Sequence, residues 1–263
     1  MLETLYLKTN YISIILFYSG LGLAVMYGFY FLFRRVWPNL VPQDIDSDFI
    51  AGLHAALFTI TFLTLGYSLA NVSETIDKYQ QDVASEANDI KELDLLLALY
   101  SAEKTQKFRE DLREYANSIV VDEWPALSKH QGSDKTLELQ RTLRKDMQDL
   151  NPTTGRELAV YSETIKALGK VVQDRSNRIA NSSNSLNKLF FLTNNIGYIG
   201  VLIISALMLT QFTWIRFVAL NIQVISVSFI FASSIVLDHP FSGSDKISPE
   251  PIEIIAKTQI RPY

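Results

Sequence analysis

At 263 residues, with 24 Lys and Arg against 28 Asp and Glu, the chain has a formal charge of −4, and it contains no cysteine. The lack of thiols excludes a disulfide framework and thiolate metal sites, and the weak acidic balance supplies no basic face for nucleic acid, so no nucleic-acid partner is expected. The charge is segregated: residues 74–188 hold 20 acidic and 17 basic side chains, while 9–33, 49–73, 189–215 and 217–237 hold none.

Each uncharged stretch is long enough to cross a hydrocarbon core of about 30 Å as a helix. Residues 1–10 carry one cation, Lys8, and the apolar stretch that follows is too long for a signal-peptide core, so it reads as a retained span. A loop follows at 34–48, with Trp37-Pro38 and Pro42 as breakers, Trp37 as an interfacial anchor, and Asp44, Asp46 and Asp48. The second span meets no breaker on leaving the membrane, and Ile76, Tyr79, Val83, Ile90, Leu93 and Leu97 continue at helical steps, which predicts one long helix.

Phe108, Leu112, Tyr115 and Ile119 mark a second amphipathic helix, stopped by Trp124-Pro125, with a loop at 128–134. Leu139, Leu143, Met147 and Leu150 mark a third. A fourth starts near Thr154, carries Leu158, Tyr161, Ile165, Leu168 and Val172, and runs on into the third span. After the fourth span, Asp238-His239-Pro240-Phe241-Ser242-Gly243 forms a turn, and a tail with Pro249, Pro251 and Pro262 is expected to be mostly extended.

The expected fold is therefore all-α: a four-span membrane protein whose second and third spanning helices extend into a helical bundle. The expected divisions are a span hairpin at 1–73, a helical domain at 74–188, a second hairpin at 189–237 and a tail at 238–263. Four spans put the helical domain and both termini on one side. Lys8, Lys78, Lys91, Arg175, Arg178, Lys188, Lys246 and Lys257 flank the spans there, against Arg34, Arg35 and Arg216 in the hairpins, which favours a cytoplasmic helical domain.

This layout resembles the bestrophin family of pentameric ion channels, and most closely the bestrophin-like membrane proteins of bacteria and plants. The likeness is carried by Leu65-Gly66-Tyr67 with Glu86-Ala87-Asn88-Asp89 about twenty residues on, by Tyr115 with Glu123-Trp124-Pro125, and by Leu237 through Gly243 with Ser248-Pro249-Glu250. The resemblance implies a homopentamer in a lipid bilayer, such as a bacterial inner (plasma) membrane. It implies passive permeation of small inorganic ions, chloride-like anions first, through a central pore lined by the second span. Position by position, the pore neck maps onto Thr59, Leu63 and Tyr67. Asp238, Pro240, Phe241 and Gly243, with Glu123, Trp124 and Pro125, map onto structural motifs. Thr and Tyr stand where aliphatic and Phe side chains line the family's neck, so this neck is expected to be wetter. The family's calcium-binding acidic cluster has no counterpart beyond Asp245, and no metal or cofactor is implied.

Each assignment has a plainer alternative. Thr59, Leu63 and Tyr67 share one helix face, which suits helix packing as well as a pore. Glu86 and Asp89, three apart, suit an acidic vestibule or a solvated helix face. Asn194, Asn195, Asn221 and Gln223 suit hydrogen bonding between spans, and His54 suits packing. No phosphate loop, nucleophile elbow or His-Glu-x-x-His pattern occurs, so enzymatic activity is not expected. The size of the helical domain leaves a second function open: a non-conducting oligomeric scaffold or sensor that recruits a partner.

Overall fold

The computed structural model describes residues 11–40, 47–183, 188–238, 240–241 and 246–257, and all regular structure among them is helical. In chain order the elements are α1 (Tyr11–Arg35), a short 3-10 turn (Pro38–Leu40), α2 (Ser47–Leu97), α3 (Ala102–Ser118), a π-helical segment (Ile119–Glu123), α4 (Trp124–Leu127), α5 (Asp134–Asp149), α6 (Gly155–Ser183), α7 (Lys188–Leu209), α8 (Trp214–Leu237) and α9 (Glu250–Lys257). The described residues divide into two compact units: 11–75 with 188–238, and 76–183 with 240–241 and 246–257.

In the first unit α1, α2, α7 and α8 are each long and apolar enough to span a membrane. Met26, Leu65, Tyr198, Leu202, Val224 and Phe231 lie in its core. The Tyr198 and Phe231 rings stack at 4.6 Å, and the Tyr198 hydroxyl meets Ser228 Oγ at 2.7 Å. Two of the expected amides do bridge helices. Asn194 donates to Ser68 Oγ at 2.8 Å, and Tyr27 donates to Asn221 Oδ1 at 2.8 Å. Asn195 instead donates to the Phe191 carbonyl of its own helix. His54 packs between helices, with Nε2 3.0 Å from Ser205 Oγ and its ring stacked on Phe58.

The second unit contains the apolar periodicity read from the sequence. Val83, Ile90, Leu93 and Leu97 of α2, Phe108, Leu112 and Tyr115 of α3, Leu143 of α5 and Val171 of α6 are buried together. Helix starts are chemically marked. Ser133 accepts from Thr136 N, and Thr154 Oγ1 accepts from Glu157 N while Glu157 Oε2 accepts from Thr153 N and Thr154 N, a reciprocal capping box. Lys104 Nζ adds an ion pair at 2.8 Å, and these bonds, Lys104 first, hold the Glu157 carboxyl at about 2.

Three local expectations change. Trp124-Pro125 does not stop the helix: the Trp124 N–H reaches back five residues to the Ile119 carbonyl, and this wider turn lets the chain continue into α4 although Pro125 has no N–H to give. The third span ends at Leu209, and Thr213 Oγ1 caps α8 by accepting from Arg216 N, so Arg216 lies within a helix start. The tail is not extended throughout. Pro251 sits in the first turn of α9, where its fixed φ suits a helix, and Ile252 is fully buried against the core of this unit. The first ten residues, with Lys8, and the turn residues His239, Ser242 and Gly243 lie outside the described residues.

Gly22 marks the tightest approach in the span unit, since a Cβ there would stand 2.3 Å from the Tyr198 hydroxyl oxygen and 2.5 Å from Ser228 Oγ. Gly22→Ala should therefore break the Tyr198–Ser228 contact and lower stability by about 1–3 kcal/mol. Thermal unfolding in detergent checks this; a midpoint equal to that of the wild type would show that the helices can separate without cost.

Candidate functional site

The second spanning helix has two unlike faces. One packs on the chain itself: His54, Thr61, Leu65 and Ser68 are buried, and Thr61 and Leu57 fill the spaces over Gly197 and Gly200 of α7. The other is open. Thr59 is exposed, Leu63 is 65% exposed and Tyr67 is 60% exposed, at successive steps of four. Of the most apolar stretch of α2, 17% is covered by the rest of the chain, against 39% for α7 and 44% for α8. α2 is thus the span whose surface is least covered by the rest of the chain.

The same open face carries Gly52, Ala55 and Ala56 before Thr59, so it runs from small side chains to larger ones. Thr59 Oγ1 donates to the Ala55 carbonyl at 2.8 Å, which leaves its lone pairs pointing outward as acceptors. The Tyr67 ring leans on Phe190 at 5.7 Å between centroids, which restricts where its hydroxyl can go.

The acidic pair separates in space. Glu86 is 1% exposed, and both its oxygens accept from Arg178, at 2.8 and 3.0 Å, so it does not present a carboxylate to a water-filled vestibule. Three residues along a helix leave the two side chains about 60° apart, so both face α6, with Glu86 buried on Arg178 and Asp89 nearer the rim. There Asp89 is 16% exposed and 3.4 Å from Lys170 Nζ. Lys170 also binds Glu92 at 3.3 Å, and these two carboxylates, Glu92 first, raise the pKa of the lysine.

Arg178 continues the network. Its Nη1 donates to Glu123 Oε1 at 2.8 Å, and Glu123 Oε2 accepts from Arg175 Nε at 2.9 Å and from Ser133 N at 3.1 Å. Two guanidiniums and two carboxylates thus balance with almost no exposure. Burial opposes the Arg178 charge, but Glu86 and Glu123 outweigh it and raise its pKa. Burial and then the Glu86 charge hold the Tyr115 phenol protonated far above its ordinary range. Gly132 is required by the same crowding, since a Cβ would stand 2.8 Å from Ile179 Cδ1 and 3.2 Å from Arg175 Nη2.

Trp124 and Phe241 lie beside this centre. The Arg178 guanidinium lies over the Trp124 ring at 5.7 Å, and Trp124 Nε1 donates to the Ile247 carbonyl at 3.1 Å. Phe241 stands edge-on to Trp124 at 5.8 Å and stacks on Tyr79 at 6.3 Å. Pro240 accepts from Ile247 N at 2.8 Å, and Asp238 caps the end of α8. Pro125 belongs to the turn after the π segment, and Gly243 lies outside the described residues.

Arg175 and Arg178, which flank the spans in sequence, are buried, so they do not bear on membrane orientation. A signal for them existed: at seven residues from Leu168 and Val171 they extend the apolar stripe of α6, a position where a charge is either buried and paired or absent. Glu123→Ala would leave both arginines buried without their shared carboxylate and should cost about 3–5 kcal/mol. Chemical denaturation of the purified protein measures this, and a loss below about 1 kcal/mol would mean that solvent reaches the centre.

Comparison with known proteins follows the same lines. A family model for the bestrophin-like domain matches residues 20–252. No curated protein matches the sequence. A solved structure, a crystal structure of a membrane protein, superposes with a TM-score of 0.65 over 92% of this chain and 96% of that chain at 10% identity, a likeness of fold. With the match running from within the first span through the helical unit and the fourth span, the chain belongs to the bestrophin-like family.

Proposed function

We propose that the chain forms a homo-oligomeric ion channel, five subunits around a central pore lined by α2, through which small ions, anions foremost, pass down their gradient. The observation that carries this reading is the open stripe of Thr59, Leu63 and Tyr67 on the span that the subunit covers least. The core of the span unit is apolar, so the symmetry axis of a ring is the natural place for an aqueous path. In that ring Leu63 supplies one apolar constriction between two hydroxyl-bearing levels, and the Tyr67 hydroxyl and ring edge supply the donors for an anion. The helical unit, with both termini, is assigned to the cytoplasmic side.

A second reading concerns selectivity. Because Thr59 donates its proton to the Ala55 carbonyl, a ring of Thr59 oxygens presents acceptors, which suit a cation. The two readings differ in a single measurement, the reversal potential of currents from purified protein in planar bilayers under asymmetric chloride. Reversal near the chloride potential supports anion permeation; reversal near the cation potential assigns the neck to cations.

Leu63→Ala should raise unitary conductance severalfold, since it removes the apolar constriction without altering the intrachain face of α2. An unchanged current would move the neck elsewhere. Silence from a folded oligomer of either protein would overturn the channel assignment.

A further inference from the structure

Outside the charge network, two pairs of aspartates face one another across helices. Asp146 of α5, 10% exposed, meets Asp111 of α3, 19% exposed, carboxyl to carboxyl, and Oδ2 of each is buried without a hydrogen-bond donor. Lys107 Nζ approaches both, 3.7 Å from Asp146 and 3.9 Å from Asp111, beyond hydrogen-bond length. Asp174 of α6 meets Asp89 of α2 in the same way, and its Oδ2 is also buried without a donor. It lines a pocket of about 50 Å³ with Asp82, Glu86, Asn177 and Asn181.

The fields at the two places differ. Asp174 faces Asp89, Glu86 and Asp82 of α2, with Lys170 and Arg178 on its own helix. Arg178 is committed to Glu86 and Glu123, Lys170 is shared between Asp89 and Glu92, and Asp82 accepts from Asn181, so the balance around Asp174 is negative. Asp146 faces Asp111 and Lys107 of α3, where the lysine relieves part of the repulsion. Two touching carboxylates repel when both are ionised, and one proton between them turns the contact into a hydrogen bond.

We propose that these pairs are proton-operated clamps: a shared proton holds α5 to α3 and α6 to α2, and its loss as pH rises loosens both contacts, making the helical unit an acid-stabilised element. Burial first, then the partner carboxyl, raises Asp146 to about 6 and Asp174 to about 7 from 3.8. The folded pairs bind the proton more tightly than the unfolded chain. Their contribution is therefore complete below about pH 3.8 and is lost as pH rises through about 6 and about 7 respectively.

Hydrogen exchange of the full-length protein in detergent, at pH 5.5 and pH 8.0 and corrected for intrinsic exchange, tests this. Between these pH values one-proton linkage lowers protection roughly fourfold along the Asp111–Asp146 contact and roughly thirtyfold along the Asp89–Asp174 contact. Asp146→Asn and Asp174→Asn supply a permanent donor to the remaining carboxylate, so each should abolish the pH dependence of its own helix pair and leave the other unchanged. Asp111→Asn and Asp89→Asn, which put the amide on the opposite helix, should do the same and stand in where a first variant folds poorly. Equal wild-type protection at both pH values, or an undiminished pH dependence in the folded variants, would overturn the proposal.

Discussion

Where Glu86, Glu123, Arg175 and Arg178 meet, four charges are withdrawn from water, and the helical unit takes its form from the way they are matched. Removing such groups from solvent is costly, and their mutual attraction offsets the cost only when nearly every donor and acceptor is used. Arg178 uses both faces of its fork, one on Glu86 and one on Glu123, which fixes the rotation of α6 against α2 and against the π segment at the same time. An apolar cluster of equal volume would allow these helices to slide; a pair of forks has one angular solution.

The same centre accounts for features that look unrelated along the chain. The π segment widens the helix just before Pro125, and Glu123, its last residue, is turned wholly inward. Trp124 follows at once, with the guanidinium over one part of its ring and Phe241 at its edge. Its indole N–H takes the Ile247 carbonyl, and Ile252 of α9 is buried a few residues further on. The C-terminal segment therefore belongs to the core of the helical unit because one aromatic ring serves both the charges and the tail.

Much of this was legible in the residues. The spans follow from uninterrupted apolar length, α2 from the absence of a breaker between Ser73 and Glu74, the start of α6 from Thr154 and Glu157, and the bridging of spans from Asn194 and Asn221, which lipid would not solvate. What was not legible has a common physical cause: polarity in a sequence does not say whether water or a partner satisfies it. Arg175 and Arg178 read as flanking charges, and Glu86 read like Asp89, because their partners lie 52 to 92 residues away. Prolines misled in the other direction. Pro125 and Pro251 read as breakers, yet one follows a π turn that needs no N–H from it and the other occupies the first turn of a helix, where none is needed.

The open face of α2 raises a different question, namely what a ring of such faces would do to water. Dewetting depends on the thickness of an apolar zone as well as its width. Here the levels before Thr59 are Gly52, Ala55 and Ala56, small enough to leave the approach wide, while Thr59 and Tyr67 bracket Leu63 with hydroxyls one helical turn away on either side. In such a ring the two hydroxyl levels would stand about 6 Å on either side of Leu63. Water at the Leu63 level of such a ring would have the Thr59 and Tyr67 hydroxyls one helical turn away, above and below. A constriction of that kind opposes an ion by stripping part of its shell rather than by emptying the pore. In the proposed ring, selection would fall on the orientation of the Thr59 and Tyr67 hydroxyls, one tied to its own backbone and the other steadied by Phe190.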